Sequence, residues 1–180
     1  MQAPDMFSGW GIRTQSSLSP AYNPIGYHTG SVWQHDNALT AIGLRSLGRV
    51  EQALEVAQGL FDMTLLQPYE RPPELFCGCE RNSQSDRPVQ YPVACSPQAW
   101  ATGSIFQLLQ MILNLVFDTP EKLLQTIVTV LPESIKQLSL NTLRIGSNWL
   151  DLELEGSGSS SACGVTKKRG NLRLLSKIEF

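Results

Sequence analysis

The sequence predicts a mainly α-helical protein that ends in a small β-rich segment. Three stretches repeat apolar residues at the helical spacing of three and four, and long irregular stretches rich in proline and glycine separate them. After residue 118 the pattern changes to short β-branched or alternating runs between turns. The hydrophobic fraction of 42% and the charged fraction of 17% are typical of a globular protein, so a packed core is expected.

The first two predicted helices form an antiparallel hairpin. One covers residues 36–47, with Asp36 as its N-cap and Gly48 as its C-terminal stop. The second covers residues 50–66, where apolar side chains recur on one face. Because almost no chain separates them, the helices are expected to pack side by side.

A third helix is predicted from Ser96 to about residue 117. Ser96 is suited to the N-cap, and Pro97 to the first helical position, because that position needs no backbone N–H. Its polar residues make one narrow stripe, so most of its surface should be packed.

The tail is predicted to be a β meander with Gly/Ser-rich turns. The expected strands are residues 126–130, 138–145, 149–154, 163–166 and 172–175. The predicted division is therefore a helical portion, residues 1–118, and a β-rich segment, residues 119–180.

Charge and cysteine content exclude several classes of function. A net charge of −2 offers no field for nucleic acid or an anionic membrane, and the longest apolar stretch, residues 105–117, is too short and polar to span a bilayer. The first residues lack the features of an export signal, so a cytoplasmic protein with reduced thiols is expected. Cys77, Cys79 and Cys95 lack zinc-knuckle spacing, and neither a metal nor a cofactor is predicted.

The two longest irregular stretches concentrate aromatic and acidic residues. They contain all four tyrosines, together with Trp10, Trp33 and both histidines. Flat rings beside carboxylates suit a sugar, because a ring covers the apolar face of a pyranose while polar groups bind its hydroxyls. The same rings could equally pin the loops to the core, and composition leaves both readings open.

Specific motifs favour the sugar. Residues 22–37 read YNPIGYHTGSVWQHDN and closely resemble the YNP-x-x-YHxGSVWxHD segment of bacterial glycogen-debranching-type (amylo-α-1,6-glucosidase) hydrolases. Residues 7–14 (FSGWGIRT), 73–78 (PELFCG) and 91–100 (YPVACSPQAW) are similar to further motifs of that family, in the same order. The tail adds short matches at residues 143–146, 150–152 and 168–170.

The resemblance implies a fold in which twelve helices form two concentric rings, an (α/α)6 barrel. Only three long helices are readable, so it implies an incomplete barrel, the C-terminal part of the enzyme, followed by the β-rich appendage. The missing N-terminal half would then be a partner, on the same frame or on a separate polypeptide.

The resemblance also implies an inverting hydrolysis of α-glucosidic bonds in glycogen or related oligosaccharides. Glu74 in the PELFCG motif matches the general base, and Pro72 and Pro73 should stiffen the backbone before it. The family's general acid lies on a segment without a counterpart here, so the chain alone is expected to be inactive. The competing reading of Glu74 is a loop salt bridge with Arg71 or Arg81.

Several further residues are expected to contact the substrate by the same resemblance. They are Trp33, His35, Asp36, Tyr27, His28 and Gln98. Asp36 has the competing reading of a helix N-cap, Trp100 is expected in the core, and Gln98 could reach a hydroxyl or hold Glu74.

Two other functions stay open. One is a non-catalytic remnant or carbohydrate-binding half of a split enzyme. The other is a related glycosidase that acts on trehalose, mannosyl-oligosaccharides or mannosylglycerate.

Overall fold

The protein is a mixed α/β structure. This computed structural model describes residues 3–118, 120–127, 129–132, 134–156 and 161–177. Within those ranges there are three α-helices and three small sheets, with about 28% of the residues in helix and about 28% in strand. The expected mainly α fold, and with it the incomplete (α/α)6 barrel, is therefore wrong. The tail strands are longer than predicted and the third helix is shorter, which shifts the balance from helix to strand.

The chain divides into two compact units, Met1–Leu109 and Gln110–Phe180. We call them the N-terminal unit and the C-terminal unit. The division falls inside the third helix, whereas the sequence places a domain boundary after Asp118, and that boundary stays a prediction.

The N-terminal unit contains the predicted helical hairpin. Strand β1 (Val32–Trp33) leads directly into α1 (Gln34–Ser46), so Trp33 in extended conformation is the N-cap and the expected Asp36 cap is wrong. Asp36 lies in the first turn instead, where its negative charge interacts favourably with the positive end of the helix dipole. Gly48 was predicted as the C-terminal stop, and it lies directly after the C-cap Leu47 with φ +74°, a left-handed conformation that favours glycine.

The second helix agrees closely with its prediction. Helix α2 (Val50–Leu65) buries one apolar face, which includes Ala53, Ala57 and Leu60. A short 3-10 helix, Pro68–Glu70, follows it. Strand β2 (Leu75–Phe76) then pairs antiparallel with β1, placing Trp33 opposite Leu75. This small sheet brings the two motif-bearing stretches side by side.

The third helix, α3 (Ala99–Leu113), starts later and ends earlier than predicted. The backbone N–H of Gln98 donates to the Pro72 carbonyl oxygen at 3.1 Å, which ties residue 98 to another segment, and the Ser96 cap is wrong. Asn114 ends the helix with φ +46°, a conformation that asparagine tolerates better than most residues. Its Nδ2 donates to the Ile127 carbonyl oxygen at 2.5 Å.

The C-terminal unit contains two three-stranded sheets. In the first, β3 (Leu115–Asp118) pairs antiparallel with β4 (Leu123–Ile127). In the second, β5 (Gln137–Ile145), β6 (Asn148–Glu155) and β7 (Ala162–Arg169) are antiparallel neighbours. The last strand, β8 (Arg173–Lys177), returns to the first sheet and pairs parallel with β4.

The structure confirms most of the predicted tail strands. They do not form one continuous meander, however, because they are divided between two sheets. Leu150, Leu152 and Leu154 of β6 are buried at alternate positions, as the period of two requires. The strand predicted at residues 126–130 is wrong in position, because β4 ends at Ile127, and residue 128 lies outside the described residues. The parallel return of β8 joins segments far apart in sequence, which a local pattern does not report.

Candidate active site

Glu74 directly precedes β2 and is held from both sides of its backbone. Its N–H donates to the Cys95 carbonyl oxygen at 2.9 Å, and the nearby Pro72 carbonyl accepts the Gln98 N–H. Pro72 and Pro73 are buried, whereas the Glu74 side chain is partly exposed. The carboxylate therefore stands on a fixed backbone with access to solvent.

Tyr27 is the polar neighbour of this carboxylate. Its phenolic hydroxyl donates to Glu74 Oε1 at 3.2 Å. Desolvation by surrounding atoms, and then the hydrogen bond to Glu74 and the Glu74 charge, raise the pKa of Tyr27 above its usual value. The phenol is therefore protonated at neutral pH and acts as the donor of this bond.

Tyr27 is one of six neighbouring rings, which we call the aromatic cluster. Its members are Tyr27, His28, Trp33, His35, Tyr91 and Trp100. Tyr27 lies edge-on to Trp33 with ring centroids 4.7 Å apart, and Tyr91 lies 5.7 Å from Tyr27. His28 stacks on Trp33 at 5.3 Å with an interplanar angle of 11°. Rings in these geometries support one another beyond the area they bury.

Trp100 joins the start of α3 to the cluster. Its ring centroid lies 5.8 Å from that of Trp33 and 4.9 Å from that of His35. The expectation of a core position is wrong, because Trp100 is 38% exposed. It is the second residue of α3, and the backbone hydrogen bond from Gln98 to Pro72 ties the start of that helix to the segment before Glu74.

The rings of the cluster differ in access. Trp33 is only 5% exposed, and its Nε1–H donates to the Tyr27 carbonyl oxygen at 3.1 Å and to Ser31 Oγ at 2.9 Å. It forms the base of the cluster, with its polar atom already engaged. Tyr27 is 39% exposed and His28 is exposed, so the faces open to a sugar are those of Tyr27, His28 and Trp100.

At the start of α1, Asp36 lies beside His35, which is a member of the cluster. His35 Nδ1 is 3.6 Å from Asp36 Oδ1, and the Asp36 side chain is 62% exposed. Because Asp36 does not cap the helix, its carboxylate is available to bind a hydroxyl group.

Gln98 acts on Glu74 through the backbone. Its side-chain Oε1 accepts the N–H of Ala99 at 3.2 Å, and its carbonyl oxygen accepts the N–H of Thr102 at 2.9 Å. The residue therefore directly precedes α3 and ties the start of that helix to the segment that carries Glu74. Its side-chain contact with substrate stays a prediction.

The competing reading of Glu74, a loop salt bridge with Arg71 or Arg81, does not hold among the described residues. Arg81 Nη1 lies 2.7 Å from Asp62 Oδ2, and its guanidinium stands 4.3 Å above the Trp10 ring centroid. Among the described residues no ion pair includes Glu74, so neither Arg81 nor Arg71 engages its carboxylate.

The sequence did not single out Tyr91 as a site residue. Tyr91 lies at the start of the YPVACSPQAW motif, and that motif supplies three elements of the site. It contributes Tyr91 to the cluster, the Cys95 carbonyl that fixes Glu74, and Trp100. The clustering of all tyrosines in the irregular stretches was the signal that could have found it.

Other chemistry has less support. Burial, followed by the charge of Cys79, raises the pKa of the Cys77 thiol, which keeps it protonated and a weak nucleophile. Across the described ranges, no three His, Cys, Asp or Glu side chains are grouped so that they could hold a metal ion. In the same part of the chain, no helix is both long and apolar enough to cross a membrane.

Comparison with known proteins gives no family for this chain. No protein-family model matches it, and no curated protein matches it. The resemblance to glycogen-debranching-type hydrolases therefore rests on the motifs themselves.

Proposed function

We propose that this chain supplies the general base and a substrate-binding surface for an inverting hydrolysis of α-glucosidic bonds, in a cytoplasmic enzyme of glycogen-debranching type. The observation that supports it best is the placement of Glu74. A partly exposed carboxylate on a fixed backbone lies beside open aromatic rings, which is the combination that a glucosyl unit requires.

In this proposal Glu74 takes a proton from a water molecule as the water attacks the anomeric carbon. The bond to the leaving oxygen breaks on the opposite face of the sugar, and a second carboxyl group protonates that oxygen. Inverting enzymes place the two groups roughly 6.5–9.5 Å apart. The motif match carries over only the base, so the general acid belongs to another segment, which the N-terminal half of the enzyme would contribute.

In this proposal, the residues that contact the substrate are those whose side chains are exposed to solvent. Tyr27, His28 and Trp100 offer ring faces, His35 offers a partly exposed ring, and Asp36 offers an exposed carboxylate at the edge of the cluster. Trp33 supports the rings from below. A glucan longer than one unit could extend across this surface.

An activated substrate tests the base without the acid. α-D-glucosyl fluoride needs no protonation of its leaving group, so base-activated water is sufficient to release fluoride. The full chain should release fluoride faster than buffer and form β-D-glucose first, which a fluoride electrode and proton NMR measure. Glu74→Gln should reduce the rate by about a hundredfold or more, because the amide cannot accept the proton.

The matched control is Glu80→Gln, since Glu80 is an exposed acid in the same irregular stretch. It should retain the wild-type rate. Fluoride release that persists in Glu74→Gln, or that yields α-glucose first, would contradict the proposal. Turnover of a branched glucan by this chain alone would contradict the assignment of the acid to another segment.

The open ring faces also fit a second function, a glucan-binding module without catalysis. Fluorescence titration with a maltooligosaccharide separates the two, because Trp33 and Trp100 both report on the cluster. Binding together with base-dependent fluoride release supports the hydrolase. Binding with no fluoride release from the wild type assigns the chain to the binding module instead.

A further inference from the structure

Tyr27 is fixed more firmly than its exposure suggests. Its backbone carbonyl oxygen accepts hydrogen bonds from Ser31 Oγ at 2.6 Å and from Trp33 Nε1 at 3.1 Å. Its ring lies edge-on to both His28 and Trp33, with centroid distances of 4.5 Å and 4.7 Å. The direction of its hydroxyl group is therefore set by contacts that involve no sugar.

That hydroxyl group points at the carboxylate assigned to the base. It donates to Glu74 Oε1, and the two residues are 47 positions apart in sequence. The antiparallel pairing of β1 with β2 holds the segments that carry them at this distance. With Oε1 bound, the carboxylate is restrained in rotation and Oε2 is the oxygen left to accept a proton.

We infer that Tyr27 is a positioning residue that orients the Glu74 carboxylate toward the attacking water, rather than a residue that recognises the sugar by its hydroxyl group. The inference rests on the proposed function. It changes the role that the motif resemblance gives Tyr27, because the phenol is already engaged by the protein. The ring face stays free to contact substrate, so only the hydroxyl group is reassigned.

Tyr27→Phe tests the inference, because it keeps the ring and removes the donor. With α-D-glucosyl fluoride, kcat should fall about tenfold while KM stays within about twofold, since a misdirected base slows the chemical step and not binding. A raised KM with unchanged kcat would overturn the inference in favour of a sugar contact. Tyr69→Phe is the control, because Tyr69 is 93% exposed and lies outside the cluster, and it should leave both constants unchanged.

A second measurement needs no turnover. Desolvation raises the pKa of Tyr27 most, the hydrogen bond to Glu74 and the Glu74 charge raise it further, and Tyr91 and Cys95 contribute less. Ultraviolet titration of the tyrosines should therefore show one phenol that ionises at lower pH in Glu74→Gln than in wild type. That phenol should be missing from Tyr27→Phe. If the pKa of Tyr27 is the same in Glu74→Gln and in wild type, the inference is overturned.

The two failures can be told apart. No fluoride release from the wild type removes the proposed function, and the catalytic role of Tyr27 with it. If fluoride release is slowed by Glu74→Gln but unchanged by Tyr27→Phe, only the positioning role of Tyr27 is removed.

Discussion

The two compact units are stabilised in different ways. In the N-terminal unit, irregular segments are joined by individual side-chain bonds to distant backbone atoms. Arg13 Nε donates to the Gly78 carbonyl oxygen at 2.8 Å, and Tyr22 donates to the same oxygen at 3.0 Å. In the C-terminal unit, long strands exchange regular backbone bonds, as between β5, β6 and β7.

This difference determines where function can lie. A regular ladder tolerates changes at many exposed positions, because each strand is held by many equivalent bonds. An irregular segment is held by a few unequal contacts, but it can place a carboxylate or a ring where no helix or strand would. Glu74 and three of the six cluster rings (Tyr27, His28 and Tyr91) lie in such segments. Single substitutions should therefore cost more in the N-terminal unit than at matched positions in the C-terminal unit.

Gly78→Ala should have the largest effect. A Cβ at Gly78 would lie 1.7 Å from the Gly30 carbonyl oxygen, so the two site-bearing stretches would have to separate. We expect a loss of about 3 kcal/mol in the free energy of unfolding. Urea unfolding followed by tryptophan fluorescence in a Trp149→Phe background measures it, because the remaining tryptophans all lie in the N-terminal unit.

Gly164→Ala in β7 is the matched control. A Cβ there meets no atom within 4 Å, and alanine suits a strand better than glycine. Its urea midpoint by circular dichroism should be unchanged or slightly higher. Equal losses for the two variants would refute the contrast between the units.

Asn37→Ala should come second. The buried Asn37 amide accepts the Ile12 N–H at 2.6 Å and donates to the Ile12 and Trp33 carbonyl oxygens at 3.0 Å and 2.8 Å. Truncation leaves these partners unpaired, so we expect a loss of about 2 kcal/mol in the same fluorescence assay. Asn141→Ala, at an exposed position of β5, should change the urea midpoint by circular dichroism far less. A comparable loss at Asn141 would count against the contrast.

The sequence predicted those parts of the fold that depend on local periodicity. Helix α2 and strands β5 and β6 appear within one or two residues of their predicted bounds. Contacts between distant segments caused the errors. Pairing with β2 places the start of α1 at Trp33, and β8 joins β4 across about fifty residues. The fold class depends on such contacts, and its prediction failed for that reason.

The sequence predicted several residues of the candidate site but not the contacts between them. Motif resemblance singled out Glu74, Tyr27 and Trp33, which the structure brings together. It gave no sign of the bond between Tyr27 and Glu74, because no local pattern relates residues that meet only through tertiary pairing. The exposure of Trp100 was missed for the same reason, since a tertiary contact of Gln98 sets the start of α3.

Gln34→Met should have the smallest effect, and it tests whether every buried polar group in the N-terminal unit is stabilising. Gln34 is fully buried at the start of α1, and neither amide atom has a hydrogen-bond partner among the described residues. An unpaired buried amide is unfavourable, whereas methionine has similar length and no such requirement. We expect the free energy of unfolding, from the fluorescence assay used for Gly78→Ala, to stay constant or rise by up to about 1 kcal/mol.

Gln67→Met is the matched control for that variant. Gln67 is also buried, but its Nε2 donates to the Met63 carbonyl oxygen at 3.1 Å and its Oε1 accepts from Gln90 at 2.9 Å. Replacing it breaks both bonds, so the protein should lose about 1 kcal/mol or more. Equal losses at Gln34 and Gln67 would mean that the Gln34 amide is paired in solution. The Gln34 and Gln67 amides would then both stabilise the N-terminal unit.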